Sequence, residues 1–350
     1  MAKRKKLSKG QIRRIQQNRQ RKLERGVEQE PEAGSSIDDD MLGAEQHGLV
    51  ISRFGQHADI EDSDGLVVRC DIRRTVSSLV CGDQVLWREA KQESDKRRGV
   101  VEAVQERHSQ LTRPDYYDGV KIVASNIDQV FVVSSVLPDF SDQIIDRYII
   151  AAEDMGITPT LVVNKIELAD ERQRQHIDER LAYYQKLGYP TLTISCKQQL
   201  GTDQLLPKLN NQVSIFVGQS GVGKSSLINQ LIPDAAVDVG DISENSGLGQ
   251  HTTTASRMLT FPGGGRLIDS PGVREFGLWH LTPEQVINGY IEFLPLISQC
   301  KFRDCKHQND PGCAVRAALE AGDIPQFRFD NYHKIINSME ENRSNRTFVR

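Results

Sequence analysis

The sequence predicts a multidomain chain in three unlike parts: an N-terminal barrel of short strands, a central α/β domain on a parallel sheet, and a C-terminal helical domain clipped by a metal ion. Three observations predict it. Between Gln46 and Arg113, short runs (GLVISRF, HADIED, LVVRCDI, DQVLWRE, RGVVEAV) are separated by SDG, CGD and KQESDKR, a spacing that suits a small closed barrel. After Pro114 the pattern changes to buried, β-branched runs alternating with helical stretches, the rhythm of a parallel sheet covered on both faces. From about Trp279 the chain turns helical, with three cysteines and a histidine between 300 and 313.

The 350 residues are enough for about two or three domains. The expected boundaries are 1–45 for a tail, 46–113 for the barrel, 114–278 for the α/β domain and 279–350 for the helical domain with its C-terminal tail. A net charge of -4 argues against a global polyanion binder but averages over an asymmetry. Residues 1–25 hold eleven Lys or Arg against one acid, Glu24, and residues 26–45 hold seven acids and no Lys or Arg. Such blocks repel themselves and have little to bury, so both are expected to be disordered in isolation. A basic arm on an acidic tether reads as a nucleic-acid contact that gains by counterion release, or as a solvated tail. No apolar run approaches the roughly 18 residues of a membrane span, and the N-terminus lacks the apolar core of a secretory signal. A soluble, cytoplasmic protein without membrane partners is therefore expected. With no heptad or internal repeat, a monomer is the default.

For the barrel an OB-fold is the leading form. Arg53, Arg69, Arg73 and Arg74 would suit a nucleic-acid face, although a barrel of this size serves equally as a structural or docking module. In the α/β region, IDQVFVVSSV reads as a buried strand, Ser141 to Gly156 as a helix, and TPTLVVNKIEL as a second strand. A charged helix from Asp170 to Lys186, the strand PTLTISCK and a short helix from Thr202 to Leu209 follow.

Next comes VSIFVGQSGVGKSSLIN, Val213 to Asn229. It is a phosphate-binding loop of the form GxxxxGK[ST] in the context that pattern requires, strand before and helix after. Gly218, Gly221 and Gly223 let backbone N–H groups converge on a phosphate, with Gln219, Ser220 and Val222 between them. The helix starting near Lys224 points its positive end at the same anion. Lys224 supplies charge to the β- and γ-phosphates, Ser225 a hydroxyl to Mg²⁺, and Ser226 continues the loop into the helix.

Ligands of such sheets sit beyond the carboxyl ends of the strands, and three of those ends carry chemistry. Asn164, Lys165 and Glu167 end one strand, Ser195, Cys196 and Lys197 another, and Asp269, Ser270, Pro271 and Gly272 a third. They are similar to the guanine-recognition, base-backing and metal-side motifs of GTP-binding proteins. A carboxylate at Glu167 accepts from guanine N1–H and N2–H, whereas adenine leaves it unpaired at a cost. The family pattern has Asp where this chain has Glu167, so the reach differs by a methylene.

The order of these motifs is unusual, because NKIE and ISCK precede the phosphate loop. With GQSGVGKSS, GLGQHTTT, DSPGVREFGLW and CKFRDCKH, the chain from about Gln46 to Met339 resembles the bacterial ribosome small-subunit-dependent GTPase A family. The resemblance implies an N-terminal OB-like β-barrel, a central circularly permuted α/β P-loop GTPase and a C-terminal helical zinc-binding domain. It also implies the partners: GTP and GDP, the small (30S) ribosomal subunit with its 16S rRNA, and another 30S assembly factor. The implied role is in late 30S maturation, with subunit-stimulated hydrolysis coupled to release. Permutation also sends the chain from DSPG into the C-terminal module, so movement of Gly272 on sensing a γ-phosphate is expected to pull on that module.

The polar stretch Asp234 to Ser256 reads as a mobile loop in which one of Thr252, Thr253 and Thr254 completes the Mg²⁺ shell with Ser225 and, through water, Asp269, and the family resemblance implies Thr253 or Thr254. Many GTPases place a water-orienting glutamine after DxxG. Here that position is Val273, so hydrolysis without a partner is expected to be slow. His251 is the nearest polar candidate to position the water, against the alternative that it is merely solvated.

Cys300, Cys305, His307 and Cys313, spaced C-x4-C-x-H-x5-C, make a four-ligand set for one structural Zn²⁺ with no open position. The basic and aromatic residues beside it (Lys301, Phe302, Arg303, Lys306) face either RNA or solvent. Two rivals to the switch are an ATP-dependent phosphotransferase, which NKIE argues against, and an RNA-binding scaffold with a non-hydrolysing nucleotide site.

Overall fold

Trp87 organises the barrel. The computed structural model describes residues 39–76, 78–91, 98–115, 119–233, 256–269 and 281–347. In it β1 (Leu42–Phe54), β2 (His57–Glu61), β3 (Val67–Ile72), β4 (Gln84–Ala90) and β5 (Arg98–Val104) close in the order β1-β2-β3-β5-β4-β1. That is the five-stranded circuit of an OB-fold, with β3 and β5 as its parallel pair. Alternate residues point inward, and Val50, Ile60, Val68, Val85 and Val101 pack around Trp87. Gly48 and Gly99 make room for the indole, since a Cβ would stand 2.8 Å from Trp87 at either position.

Strand β1 starts at Leu42, upstream of the expected Gln46, because Leu42 is a core residue only 1% exposed. The arginines expected to face nucleic acid are largely engaged within the barrel. Arg69 pairs with Asp59 and stacks on Phe54, Arg73 makes a two-pronged pair with Glu102, and Arg53 donates to the Leu79 carbonyl. Arg74 is exposed.

The hairpin β6 (Gln110–Asp115) and β7 (Gly119–Ser125) runs across the expected 113/114 boundary. Its base is latched to the barrel by Asp83, which is wholly buried. That carboxylate accepts from Arg107 at 2.6 and 2.8 Å, from Ser125 Oγ at 2.6 Å and from Val80 N at 2.8 Å, so the charge is fully compensated.

The α/β domain then alternates as its pattern predicts: β8 (Gln129–Ser135), α1 (Asp142–Asp154), β9 (Thr160–Asn164), α2 (Glu171–Lys186), β10 (Thr191–Thr193), α3 (Leu206–Leu209), β11 (Val213–Val217) and α4 (Lys224–Leu231). The caps are those the sequence offers, with Ser141 accepting from Ile144 N and Asp170 from Gln173 N. PTLTISCK is a strand only at Thr191–Thr193, after which the chain turns and Ser195 bridges to Leu200. After α4 come β12 (Arg257–Thr260) and β13 (Arg266–Asp269). The sheet runs β10-β9-β8-β11-β13-β12 and continues into β1 of the barrel through the pair Ser52↔Arg257. Ile145 and Ile149 of α1 cover one face and Leu227 and Ile228 of α4 the other.

The C-terminal part holds α5 (Pro283–Asn288), α6 (Leu294–Ile297), α7 (Ala314–Ala321) and α8 (Gln326–Thr347). In the stretch LTPEQVINGYIEF, α5 stops at Gly289. Gly289 is pressed on α1, where a Cβ would lie 2.7 Å from the Ile150 Cα. Among the described residues no helix is long and apolar enough to cross a membrane.

One buried cluster fixes this part to the α/β domain. Arg328 of α8, 0% exposed, donates to Asp146 of α1 at 2.5 Å and to Glu292 at 2.6 and 3.1 Å, and lies over the Tyr290 ring. Asp146 also accepts from Asn331 Nδ2 and Tyr184 Oη. Burial, then the Asp146 charge, holds the Tyr184 phenol well above its ordinary pKa, so it stays a donor. Removing Arg328 strands two acids in a dry interface. Arg328→Leu is expected to cost about 3–5 kcal/mol in urea unfolding, against less than about 1 kcal/mol for Arg174→Leu in the exposed Arg174–Asp178 pair.

Candidate functional site

The loop between β11 and α4 has the geometry its glycines require. Gly218, Gly221 and Gly223 take φ of 149°, 79° and 97°, in the region that favours glycine. At Gly218 the reason is also steric, because a Cβ would sit 2.0 Å from the Val133 carbonyl oxygen of β8. Gly223 caps α4, and Lys224 opens the helix, 7% exposed, with Nζ donating to the Gly218 and Gln219 carbonyls at 2.5 and 2.6 Å. Val222 is buried, Ser225 and Ser226 are half-buried, and Ser220 and Gly221 face out.

One side chain, Asn164, joins NKIE, ISCK and this loop. Asn164 ends β9 at 2% exposure. Its Nδ2 donates to the Val222 carbonyl at 3.0 Å and its Oδ1 accepts from Cys196 N at 3.2 Å. Lys165 sits at φ 58°, and its Nζ donates to the Gly221 carbonyl at 2.6 Å and the Leu137 carbonyl at 2.7 Å. Glu167 lies in the 3₁₀ turn Ile166–Leu168, and its Oε2 is buried with no hydrogen-bond partner among the described residues. Ser195 Oγ accepts from Gln198 N, which shapes the ISCK turn. Burial pushes the Cys196 thiol up to about 11, against a lowering contact with Asn164. Lys197 is exposed. Asp269 ends β13, 8% exposed. Gly272, His251, Thr253, Thr254 and Val273 lie outside the described residues.

The family model described as RsgA GTPase matches residues 104–279. A relative from Vibrio vulnificus (strain YJ016), named "Small ribosomal subunit biogenesis GTPase RsgA 1", is 55% identical over 351 residues, covering 100% of this chain and 98% of that protein. The chain belongs to the RsgA GTPase family. A second RsgA, from Pectobacterium atrosepticum, is 55% identical with 96% of each chain covered. The crystal structure of YjeQ from Thermotoga maritima superposes with a TM-score of 0.68 at 31% identity, covering 85% of this chain and 99% of that one. YloQ, titled a circularly permuted GTPase, gives 0.67 at 25% identity, covering 88% and 99%. As an RsgA-family member the chain is a circularly permuted GTP hydrolase, with the NKIE and ISCK strands ahead of the phosphate-loop strand.

The residues fit a Mg²⁺–nucleotide, since a loop hydroxyl at Ser225 and a carboxylate at Asp269 are the hard oxygen donors that ion takes. They also fit a zinc ion. The ligand atoms of Cys300, Cys305, His307 and Cys313 lie within 4.8 Å of one another. His307 Nδ1 is 3.6 Å from Cys300 Sγ and 3.4 Å from Cys313 Sγ, and tetrahedral bonds of about 2.3 Å to sulfur and about 2.05 Å to nitrogen imply an edge of about 3.6 Å. The His307 carbonyl accepts from His333 Nε2 at 3.2 Å, which braces the ligand from behind. Desolvation, with help from the neighbouring sulfurs, pushes the Cys305 thiol up to about 12, so only a cation makes it a thiolate near neutrality.

Sequence reasoning missed Leu137. The turn after β8 shows only a Leu-Pro pair in the sequence, yet its carbonyl is a fixed point for Lys165.

Two outcomes follow. Gly223→Ala places a Cβ 2.3 Å from Asn164 Nδ2; it is expected to abolish nucleotide binding by calorimetry while the barrel stays folded. A chelator is expected to withdraw one zinc per chain, more readily at pH 5.5 than at pH 7.5, because each ligating thiol releases a proton on binding and regains it as pH falls. Zinc release followed with a metal-sensitive dye checks the direction.

Proposed function

We propose that the chain is a guanine-nucleotide switch serving the small (30S) ribosomal subunit in the cytoplasm. The observation that carries the nucleotide reading is the buried Glu167 Oε2, near the Cys196 thiol of the ISCK turn and without a hydrogen-bond partner among the described residues. A buried carboxylate oxygen is costly unless a donor reaches it, and guanine brings the N1–H and N2–H donors that adenine lacks as a pair. In this reading Asn164, Lys165, Ser195, Cys196 and Lys197 build the base side. Gly218 to Ser226 hold the phosphates, and Ser225, Asp269 and Thr253 or Thr254 serve Mg²⁺. Gly272 senses the γ-phosphate, and His251 orients the water in place of a residue that Val273 cannot supply. Cys300, Cys305, His307 and Cys313 hold a structural zinc ion.

The names of the RsgA relatives supply the partner, small-subunit biogenesis. The exposed Lys301, Phe302, Arg303 and Lys306 on the zinc loop support contact with 16S rRNA. The finer reading is that hydrolysis is slow in the isolated monomer and faster on the 30S subunit, where it accompanies late maturation and release of another assembly factor.

Glu167→Gln exchanges one acceptor for a donor. It is expected to weaken GDP binding about tenfold to a hundredfold and to improve binding of xanthosine diphosphate, whose C2 carries an oxygen instead of an amine. Equal GDP affinity in parent and variant would sink the guanine assignment. Phosphate release from GTP measured with and without purified 30S subunits tests the partner, and an unchanged rate would overturn stimulation.

A further inference from the structure

Asp269 has a cationic neighbour that the nucleotide reading leaves unused. Its partner across the β12–β13 ladder is Arg257, and Arg257 Nε lies 3.8 Å from Asp269 Oδ2. That is too long for a hydrogen bond but close enough for charge to act. Arg257 is also where the sheet crosses into the barrel, as the register partner of Ser52 in β1. At the opposite end of β13, Arg266 is held in a two-pronged pair by Glu61 of β2, at 2.7 and 2.5 Å. The barrel therefore grips β13 twice: through Glu61 at its start, and through β12 and Arg257 at the carboxylate that ends it.

We propose that Arg257 is a positioning residue that sets how strongly Asp269 engages the Mg²⁺ of the bound nucleotide, so that Mg²⁺ affinity answers to the seating of the barrel. The inference rests on the guanine-nucleotide reading above. A guanidinium at this distance neutralises part of the carboxylate charge and adds a positive field where a dication must enter, so it opposes Mg²⁺. It also supplies the counter-charge that a carboxylate buried this far requires when no dication is near. Any shift of the barrel against the sheet moves β1, hence β12, hence this guanidinium. With its side chain 44% exposed, Arg257 is partly screened by solvent, so its effect on Mg²⁺ is a matter of several-fold.

The test uses the full chain loaded with a fluorescent GDP analogue, whose dissociation rate is followed against Mg²⁺ concentration. Arg257→Gln is expected to lower the Mg²⁺ midpoint about threefold to tenfold. Arg257→Lys, which keeps the charge, should stay within about twofold of the parent, and the Gln effect should shrink in 1 M salt. Glu61→Gln, which loosens the second grip, should shift the midpoint in the parent and not in an Arg257→Gln background. A midpoint unmoved by Arg257→Gln overturns the proposal. So do equal shifts for Gln and Lys with a matching fall in thermal midpoint, which would mark a packing role, and additive shifts with Glu61→Gln would remove the barrel from it. Failure to bind the GDP analogue at any Mg²⁺ concentration would instead defeat the guanine reading itself.

Discussion

The candidate nucleotide site depends on one buried amide. A carboxamide at 2% exposure must satisfy both its donor and its acceptor side, and Asn164 does so by taking the Val222 carbonyl of the phosphate loop and the Cys196 N–H of the ISCK turn. Aspartate in its place could accept but not donate, and leucine could do neither. Three turns far apart in sequence are thereby held in one arrangement by contacts that do not depend on which is made first. This is why a chain that encodes NKIE and ISCK before the phosphate loop can still bring the three turns together. The same amide explains Gly223, whose missing Cβ is the space that Asn164 Nδ2 occupies.

The strands β12 and β13 form one margin of the α/β sheet, and the barrel strand β1 pairs with that margin at Ser52↔Arg257. An open sheet edge is a liability, and here the barrel covers it. The opposite margin is β10, which has only three residues, short enough to offer little pairing surface. The barrel's seating is reinforced by Asp83 and Arg107 on the hairpin side and by Glu61 and Arg266 on the sheet side. The barrel is thus fastened to the strand that ends in Asp269.

The repetitive features of this fold were legible in the sequence. The five barrel strands, the helix caps at Ser141 and Asp170, the phosphate loop and the Cys₃His spacing each carry a local signal of period, cap or ligand type. Contacts between distant segments carry none. Nothing about Arg328 in a charged helix announces that it is wholly buried, and nothing about Arg69 or Arg73 announces that barrel acids engage them. The Asp83 latch is equally silent, because its partner Ser125 lies across an expected domain boundary from Asp83 and Arg107. Leu42 belongs to the barrel although it follows an acidic run, since burial of one apolar residue outweighs the composition of its neighbours.

The buried cluster at Arg328 also bears on how a signal would reach the C-terminal part. A γ-phosphate contact at Gly272 is worth at most about 1.5–3 kcal/mol as a charge-assisted hydrogen bond, whereas breaking the Arg328 cluster costs about 3–5 kcal/mol. On the proposed function, a pull along the chain from Gly272 is therefore too weak to undock the C-terminal helices from α1. The anchor helix α1 starts at Asp142, just beyond the turn whose Leu137 carbonyl accepts from Lys165 Nζ. Lys165 in turn holds the Gly221 carbonyl of the phosphate loop. The C-terminal part is thus tied to the candidate nucleotide site through the start of α1.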